Sequence, residues 1–184
     1  MNPKNQNFSI FLAGFLILLI GIGIGYWWGR AENVRLEIPV VQNEKASGTN
    51  NFVGAYKVTR VIDGDTIEIE GGEKVRYIGI DTPETVDPDR PVECFGPEAT
   101  QKNKELVEGQ TVRLEKDTTN RDKYNRLLRY VYVGTNFINL ELVKLGFAKS
   151  VAYPPDLQHQ SEFSAAQIEA QKSNLGLWKA CSQK

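Results

Sequence analysis

Near the N-terminus, the 21 residues of Phe8–Trp28 carry no charge and are almost all apolar or glycine. A helix of about 20 apolar residues spans a bilayer. Tyr26, Trp27 and Trp28 stand together at one end of the run, as aromatic residues do at a membrane interface. This run therefore predicts a single transmembrane helix through residues 8–28 and divides the chain into two unlike parts.

Two other interpretations of the run remain open. A signal peptide has a shorter apolar core of about 7–15 residues, but Gly29-Arg-Ala31 places small residues where cleavage would occur. A buried helix of a soluble protein would show a polar face, and no polar face interrupts this run. We expect an anchor over residues 1–30, a polar linker over 31–54 and a folded domain over 55–184.

The numbers of histidine and cysteine limit the chemistry of the folded domain. The 184-residue chain has one histidine and two cysteines. These counts exclude paired-imidazole sites and polyhistidine zinc sites, and they make structural zinc a poor fit. No Gly-x-Ser-x-Gly motif accompanies His159 to build a nucleophilic triad. Hydrolytic chemistry in this chain would depend on carboxylates and arginines, with or without a hard cation.

The pattern of residues 55–184 predicts a small barrel. Strand patterns of β-branched or alternating residues occur five times, at 56–62, 66–70, 74–80, 111–115 and 127–133. Helical patterns occur three times, at 96–109, 137–145 and 157–171. The order lacks a repeated strand–helix–strand rhythm, which argues against a doubly wound fold. We expect a five-stranded β-barrel with three α-helices packed on it, an α+β protein.

A hairpin in this barrel brings two acidic residues together. If the second and third predicted strands pair about a turn near Glu73, Asp65 faces Asp81. Like charges placed directly opposite each other are destabilising, unless they splay into solvent or a cation neutralises them. Each acid alone is typical of a turn or a helix cap. Together, and beside Arg76, they predict an oxygen-rich site for Ca²⁺ or Mg²⁺.

A second cluster of charge lies in Arg121-Asp-Lys-Tyr-Asn-Arg126. Asn125 suits a turn that needs left-handed backbone. An arginine clamps phosphate with two hydrogen bonds, and an exposed tyrosine can stack on a base. The segment is therefore either a solvated loop before a strand or a loop that faces phosphate.

Five motifs occur in order along the folded domain. They are Val61-Ile-Asp-Gly-Asp-Thr-Ile67, Val75-Arg-Tyr-Ile-Gly-Ile-Asp-Thr-Pro-Glu84, Phe95-Gly-Pro-Glu-Ala99, Asp122-Lys-Tyr-Asn-Arg126 and Gly176-Leu-Trp178. Their order and spacing resemble the staphylococcal nuclease (thermonuclease) family over residues 55–178. The resemblance implies an OB-fold barrel with three helices and a Ca²⁺-dependent phosphodiesterase site. One departure is Asn125, which stands where the family usually has glycine.

The resemblance implies a metal site and a base. Asp65 and Asp81 would bind Ca²⁺ through their side chains, and Thr82 would bind it through the backbone carbonyl. Glu84 would act as the general base on the attacking water.

The resemblance also implies how the substrate is held. Arg76 and Arg126 would bind the scissile phosphate. Lys123 and Tyr124 would contact the terminal phosphate and base, and Tyr153 would be a further substrate tyrosine.

The implied activity is hydrolysis of single-stranded DNA or RNA to 5′-hydroxyl and 3′-phosphate ends by a monomeric domain, with no protein partner implied. Two other interpretations remain. One is a membrane-tethered OB-fold module that binds nucleic acid or protein without cutting, and the other is a structural anchor domain.

The two cysteines bear on location. Cys94 precedes the first predicted helix and Cys181 follows Trp178, so they are either buried free thiols or a disulfide that ties the C-terminus to the barrel. A disulfide would indicate an oxidising compartment.

The Lys/Arg count beside residues 8–28 favours an internal domain. Calcium supply, the disulfide and the danger of a nuclease inside a cell favour a single-pass membrane protein with an extracytoplasmic domain, or a secreted protein after signal cleavage.

Overall fold

The computed structural model describes residues 51–89 and 91–182. The predicted transmembrane helix at 8–28, the anchor at 1–30 and most of the linker at 31–54 lie outside these residues. Within the described ranges, no helix has both the length and the apolar character needed to cross a bilayer.

The described part of the chain forms short strands and helices. The strands are β1 Phe52–Asp63, β2 Thr66–Ile69, β3 Lys74–Tyr77, β4 Ile80–Asp81, β5 Thr111–Glu115, β6 Leu127–Val133, β7 Asn136–Phe137 and β8 Lys149–Ser150. The helices are α1 Gly96–Val107, α2 Ile138–Lys144, α3 Gln160–Lys172 and α4 Leu177–Ala180. The three predicted helices correspond to α1, α2 and α3, whereas the four-residue α4 was not predicted.

Five strands close into a barrel in the order β3-β2-β1-β5-β6, and a parallel pairing between β3 and β6 completes the ring. The long β1 makes this possible because it pairs with β5 near its start and with β2 near its end. Register shifts in both pairings bend the strand, as β-bulges do. The predicted five-stranded barrel with helices is confirmed.

The barrel interior is filled by the inward residues of alternating strand positions. Val58, Ile67, Val75, Leu114 and Val131 are each at most 1% exposed. Burial of such a side chain contributes about 1.5–3 kcal/mol relative to leaving it in water. This packed interior holds the strand ends that carry the polar residues described below.

The β2–β3 hairpin has a different register from the predicted one. Thr66 pairs with Arg76, so the turn is centred on Gly71 and not near Glu73. Gly71 and Gly72 both have positive φ angles, 87° and 79°, which a β-carbon would make unfavourable. The turn therefore forms where the two glycines lie.

The change of register alters how the two aspartates meet. The predicted pairing of Asp65 with Asp81 across the hairpin is wrong, because the amide of Tyr77 donates to the Asp65 carbonyl at 2.9 Å. The chain turns again at Gly79, whose φ is 78° and where a β-carbon would collide with the Phe163 ring. Asp81 then lies on β4, and it approaches Asp65 after this turn.

A disulfide joins Cys94, just before α1, to Cys181, just after α4. The two Cα atoms are 6.0 Å apart, and the cysteines are separated by 87 positions in the sequence. The bond ties the C-terminal end of the described chain to the start of the first helix.

Candidate active site

A pocket of about 300 Å³ lies beside the β1–β2 turn and the segment that follows β4. It brings together the residues that the sequence analysis assigned to metal binding and catalysis, Asp65, Arg76, Asp81, Thr82, Glu84 and Arg126. These residues come from three separate stretches of the chain. The barrel ends therefore assemble one polar site.

Asp65 is held in place by Thr82. Its Oδ2 accepts hydrogen bonds from the Thr82 amide at 2.8 Å and from the Thr82 hydroxyl at 2.9 Å. A β-carbon on Gly64 would lie 2.6 Å from that hydroxyl oxygen, so only glycine lets Thr82 come this close. The Asp-Gly-Asp turn is thus a packing requirement as well as a chain reversal.

Arg76 connects the two predicted metal ligands. Its Nη1 lies 2.8 Å from Oδ2 of Asp65, and its Nη2 lies 2.8 Å from Oδ1 of Asp81. Nη1 also donates to the carbonyl of Ile80 at 3.1 Å. The Arg76 side chain is only 13% exposed, so its charge offsets two carboxylates in a shielded position.

The site is crowded with negative charge. Burial raises the pKa of Asp81 and so does the charge of Asp65, although Arg76 acts in the opposite direction. The pKa of Asp63 is also raised, chiefly by burial and further by the charge of Asp65. A cation bound nearby would stabilise the ionised forms of these acids.

The donor atoms suit a hard cation. Ca²⁺ prefers carboxylate and carbonyl oxygens together with water. In residues 51–89 and 91–182 there is no group of three or more His, Cys, Asp or Glu side chains arranged for a metal ion. A cation here would rely on Asp65, Asp81, a backbone carbonyl and water, and the part predicted for the Thr82 carbonyl stays a prediction.

Glu84 lies in the same pocket, and its pKa is lowered from the usual value. Burial acts to raise its pKa, but hydrogen bonds from the Val86 amide, from Asp63 and from two further amides lower it overall. Its Oε1 accepts from the amides of Thr85, Val86 and Asp87 at 2.9, 2.8 and 3.2 Å. A carboxylate that stays ionised and fixed can orient a water or accept its proton.

Asp63 has a role that was not predicted from the sequence. Its Oδ1 accepts from the Gly64 amide at 2.8 Å and from the hydroxyls of Thr85 and Thr100 at 2.8 and 3.1 Å. The residue therefore ties the end of β1 to the Glu84 segment and to α1. An aspartate followed by glycine gave only a turn signal, and nothing in the local sequence marks these distant hydroxyl partners.

The basic loop positions Arg126. Asp122 accepts the amides of Tyr124 and Arg126, both at 2.9 Å, and its other oxygen accepts from Arg126 Nε at 2.7 Å. Asn125 has a φ of 65°, and the left-handed turn predicted there is confirmed. Arg126 Nη1 and Nη2 make no hydrogen bond to any residue in the described ranges, so the fork of the guanidinium is available to a ligand.

A second pocket, of about 520 Å³, adjoins the first and shares Arg76 and Arg126 with it. It contains Lys123, Tyr124 and Tyr153, the three residues predicted to contact substrate. The tyrosines are 68% and 50% exposed, which leaves part of each ring available for stacking, although Lys123 Nζ lies 4.9 Å from the centre of the Tyr124 ring. The structure thus brings the predicted substrate residues together next to the two arginines.

His159 lies away from both pockets. Its ring packs edge-on against Tyr130 and Phe137, and its Nδ1 lies 2.9 Å from Glu162 Oε1. The single imidazole therefore supports the start of α3, and the site chemistry belongs to carboxylates and guanidinium groups.

Comparison with known proteins agrees with this geometry. A family model described as "Staphylococcal nuclease homologue" matches residues 74–180. A thermonuclease of Staphylococcus intermedius is 44% identical over 137 residues, which is 73% of this chain and 82% of the relative. A thermonuclease of Staphylococcus hyicus is 42% identical over 138 residues, with the same two shares. Endonuclease YncB of Bacillus subtilis is 39% identical over 147 residues, which is 74% of this chain and 70% of the relative. The chain therefore belongs to the staphylococcal nuclease family.

Proposed function

We propose that this protein is a Ca²⁺-dependent nuclease that hydrolyses single-stranded DNA and RNA to 5′-hydroxyl and 3′-phosphate ends. Its relatives are named thermonuclease and endonuclease. One observation carries the proposal to this chain. Arg76 of β3, Arg126 of the loop before β6, two aspartates and Glu84 line a single pocket.

Asp65, Asp81 and the Thr82 carbonyl are the residues that would hold Ca²⁺. The bound ion would supply Lewis-acid polarisation of the phosphate and would offset its charge. Arg76 forms ion pairs with both aspartates. Its guanidinium can serve a phosphate only when another positive charge offsets those carboxylates.

Arg76 and Arg126 bind and stabilise the phosphate. Hydrolysis adds negative charge to a phosphodiester that already carries one, so donors fixed at the charged oxygens lower the barrier. Asp122 fixes Arg126 through Nε and leaves the two terminal nitrogens free for a two-point contact with phosphate.

Glu84 orients the attacking water and takes its proton. The hydrogen bonds from three successive amides keep its carboxylate ionised near neutral pH, which is the form that a general base requires. On the other side of the arginines, Tyr124 and Tyr153 offer stacking surfaces to any base, so recognition there tolerates different sequences.

Single alanine variants of the two arginines test the proposal. Arg76→Ala and Arg126→Ala should each lower the rate of DNA cleavage with Ca²⁺ by roughly 100-fold or more, the usual effect of removing one charge-stabilising donor. Arg113→Ala is a matched control, because Arg113 lies outside both pockets and packs on the Phe52 ring.

Cleavage would be measured with Ca²⁺, with Mg²⁺ and with a chelator, and product ends would be labelled with and without prior phosphatase. Products that accept 5′ label without phosphatase are expected. Parent-like rates in both arginine variants would show that the phosphate roles are wrong. Binding of DNA without any cleavage by the parent protein would favour the non-catalytic OB-fold module.

We place the domain outside the cytoplasm, attached to the cell membrane through residues 8–28 or secreted after signal cleavage. The disulfide between Cys94 and Cys181 supports an oxidising compartment. Protease added to intact cells should digest the domain, and complete protection would contradict this location.

A further inference from the structure

Lys74 lines the first pocket together with Arg76 and Arg126, and no role above uses it. Lys74 and Arg76 both belong to β3, two positions apart. Side chains alternate between the faces of a strand, so these two point to the same side with Cα atoms about 6.5 Å apart. Lys74 thus extends the row of positive charge that begins at the site.

The acids nearest to Lys74 along the hairpin are already paired with arginines. Glu68, directly opposite Lys74 in the β2–β3 ladder, lies 2.8 Å from Arg60. Glu73, the preceding residue, lies 2.8 Å from Arg121. Lys74 itself is exposed and forms no ion pair with any residue that the structure describes. Its ammonium group is therefore available to pair with an anion at the pocket.

The two pockets adjoin at the arginines. Among the residues that the structure describes, only Arg76 and Arg126 line both of them, whereas Tyr124 lines the second and Lys74 lines the first. A nucleotide chain with its scissile phosphate on the arginines and one base against Tyr124 would pass Lys74 if it continued through the first pocket.

We propose that Lys74 binds the phosphate next to the scissile linkage, on the side away from Tyr124, so that the site grips an internal stretch of polynucleotide. The inference rests on the proposed nuclease function. An ammonium contact to a phosphate is a point-charge contact that carries no sequence preference. It strengthens binding of long substrates and contributes little to the reacting linkage itself.

The test compares the parent with Lys74→Ala, using the full chain and two substrates. One is long single-stranded DNA, and the other is a nitrophenyl phosphodiester of a single nucleoside, which has no phosphate beyond the scissile one. On long DNA at low salt, KM should rise roughly fivefold to tenfold, with kcat nearly unchanged. In a plot of log binding constant against log salt concentration, the magnitude of the slope should fall by about 0.7. On the nitrophenyl substrate, kcat/KM should change less than twofold.

Lys57→Ala is the matched control, since Lys57 is also an exposed strand lysine without an ion pair but lines neither pocket. Lys74→Arg should retain the parent KM. The inference is overturned if Lys74→Ala leaves KM for long DNA unchanged, or if it lowers kcat/KM equally for both substrates. It is also overturned if Lys57→Ala raises KM for long DNA as much as Lys74→Ala does. A parent protein that cleaves neither substrate would instead refute the proposed function.

Discussion

At the scale of single residues, Asn103 shows how α1 is fastened to the barrel. It is fully buried, its Nδ2 donates to the Asp63 carbonyl at 3.0 Å, and its Oδ1 accepts from the Tyr77 hydroxyl at 3.0 Å. Burial raises the pKa of Tyr77 far above its usual value, so this hydroxyl remains a donor at every ordinary pH. The amide thus links the helix to the ends of β1 and β3.

Replacement of Asn103 by alanine leaves that carbonyl and that hydroxyl buried without a partner. We expect the free energy of unfolding to fall by about 2–4 kcal/mol, the cost of two unsatisfied buried groups. Urea denaturation would measure it. Gln101→Ala, an exposed position on the same helix, should change stability by less than about 0.5 kcal/mol. An equal change in the free energy of unfolding at the two positions would show that the buried hydrogen bonds of Asn103 do not stabilise the fold.

Local sequence could identify the candidate residues but not all their contacts. Asp65, Arg76 and Glu84 were predictable because they belong to ordered motifs of charged residues. Asn103 stands in a polar helical stretch where its burial leaves no local signal. Lys74 was within reach of prediction, because strand alternation alone places it on the same face as Arg76.

At the scale of elements, the loop from Arg121 to Arg126 depends on the charge of Asp122. Burial alone would raise the pKa of Asp122, but hydrogen bonds from Arg126, the charge of Arg126 and the Tyr124 amide lower it overall. A lowered folded pKa adds stability that is complete above the unfolded value, near 3.8, and that is lost as the pH falls through the folded value.

Asp122→Asn should therefore destabilise the protein at pH 6 and differ little from the parent near pH 2. It should also raise KM for DNA at neutral pH, because Arg126 loses the partner of its Nε. Denaturation curves of both proteins between pH 2 and pH 7 would measure the difference. A stability difference that is constant across this range would mean that the ionised carboxylate does not hold the loop.

In the β2–β3 hairpin, the strands could be predicted from the sequence but their register could not. Alternation located both strands, but it does not set which residues pair, since a register is fixed by the turn. The predicted turn is centred near Glu73, whereas the observed turn, with positive φ angles at Gly71 and Gly72, lies earlier. Asp65 and Asp81 nevertheless converge, because the bend at Gly79 depends on close packing against α3 that no local pattern reveals.

At the scale of the whole molecule, the disulfide closes most of the folded domain into one loop. Cys94 and Cys181 are 87 positions apart, and cross-linking a loop of that length stabilises a fold by up to roughly 4.5 kcal/mol through the unfolded chain. The bond lies at the ends of α1 and α4 and does not line the pocket of Arg76 and Glu84.

The double variant Cys94→Ser/Cys181→Ser should lose about 2–4 kcal/mol of stability and keep most of its cleavage rate at low temperature. Urea denaturation, with and without reductant, would measure the first effect, and reductant should destabilise only the parent. A loss of cleavage in a variant that is still fully folded would show that the disulfide shapes the site after all.

The parallel pairing of β3 with β6 determines when the two arginines of the site come together during folding. It sets Arg76 opposite Leu128 and so brings Arg76 beside the strand that follows Arg126, although the two arginines are far apart in the sequence. Until β3 and β6 pair, Arg76 and Arg126 are not held together to bind a phosphate. A nascent chain would therefore be unable to act on nucleic acid until its fold is complete.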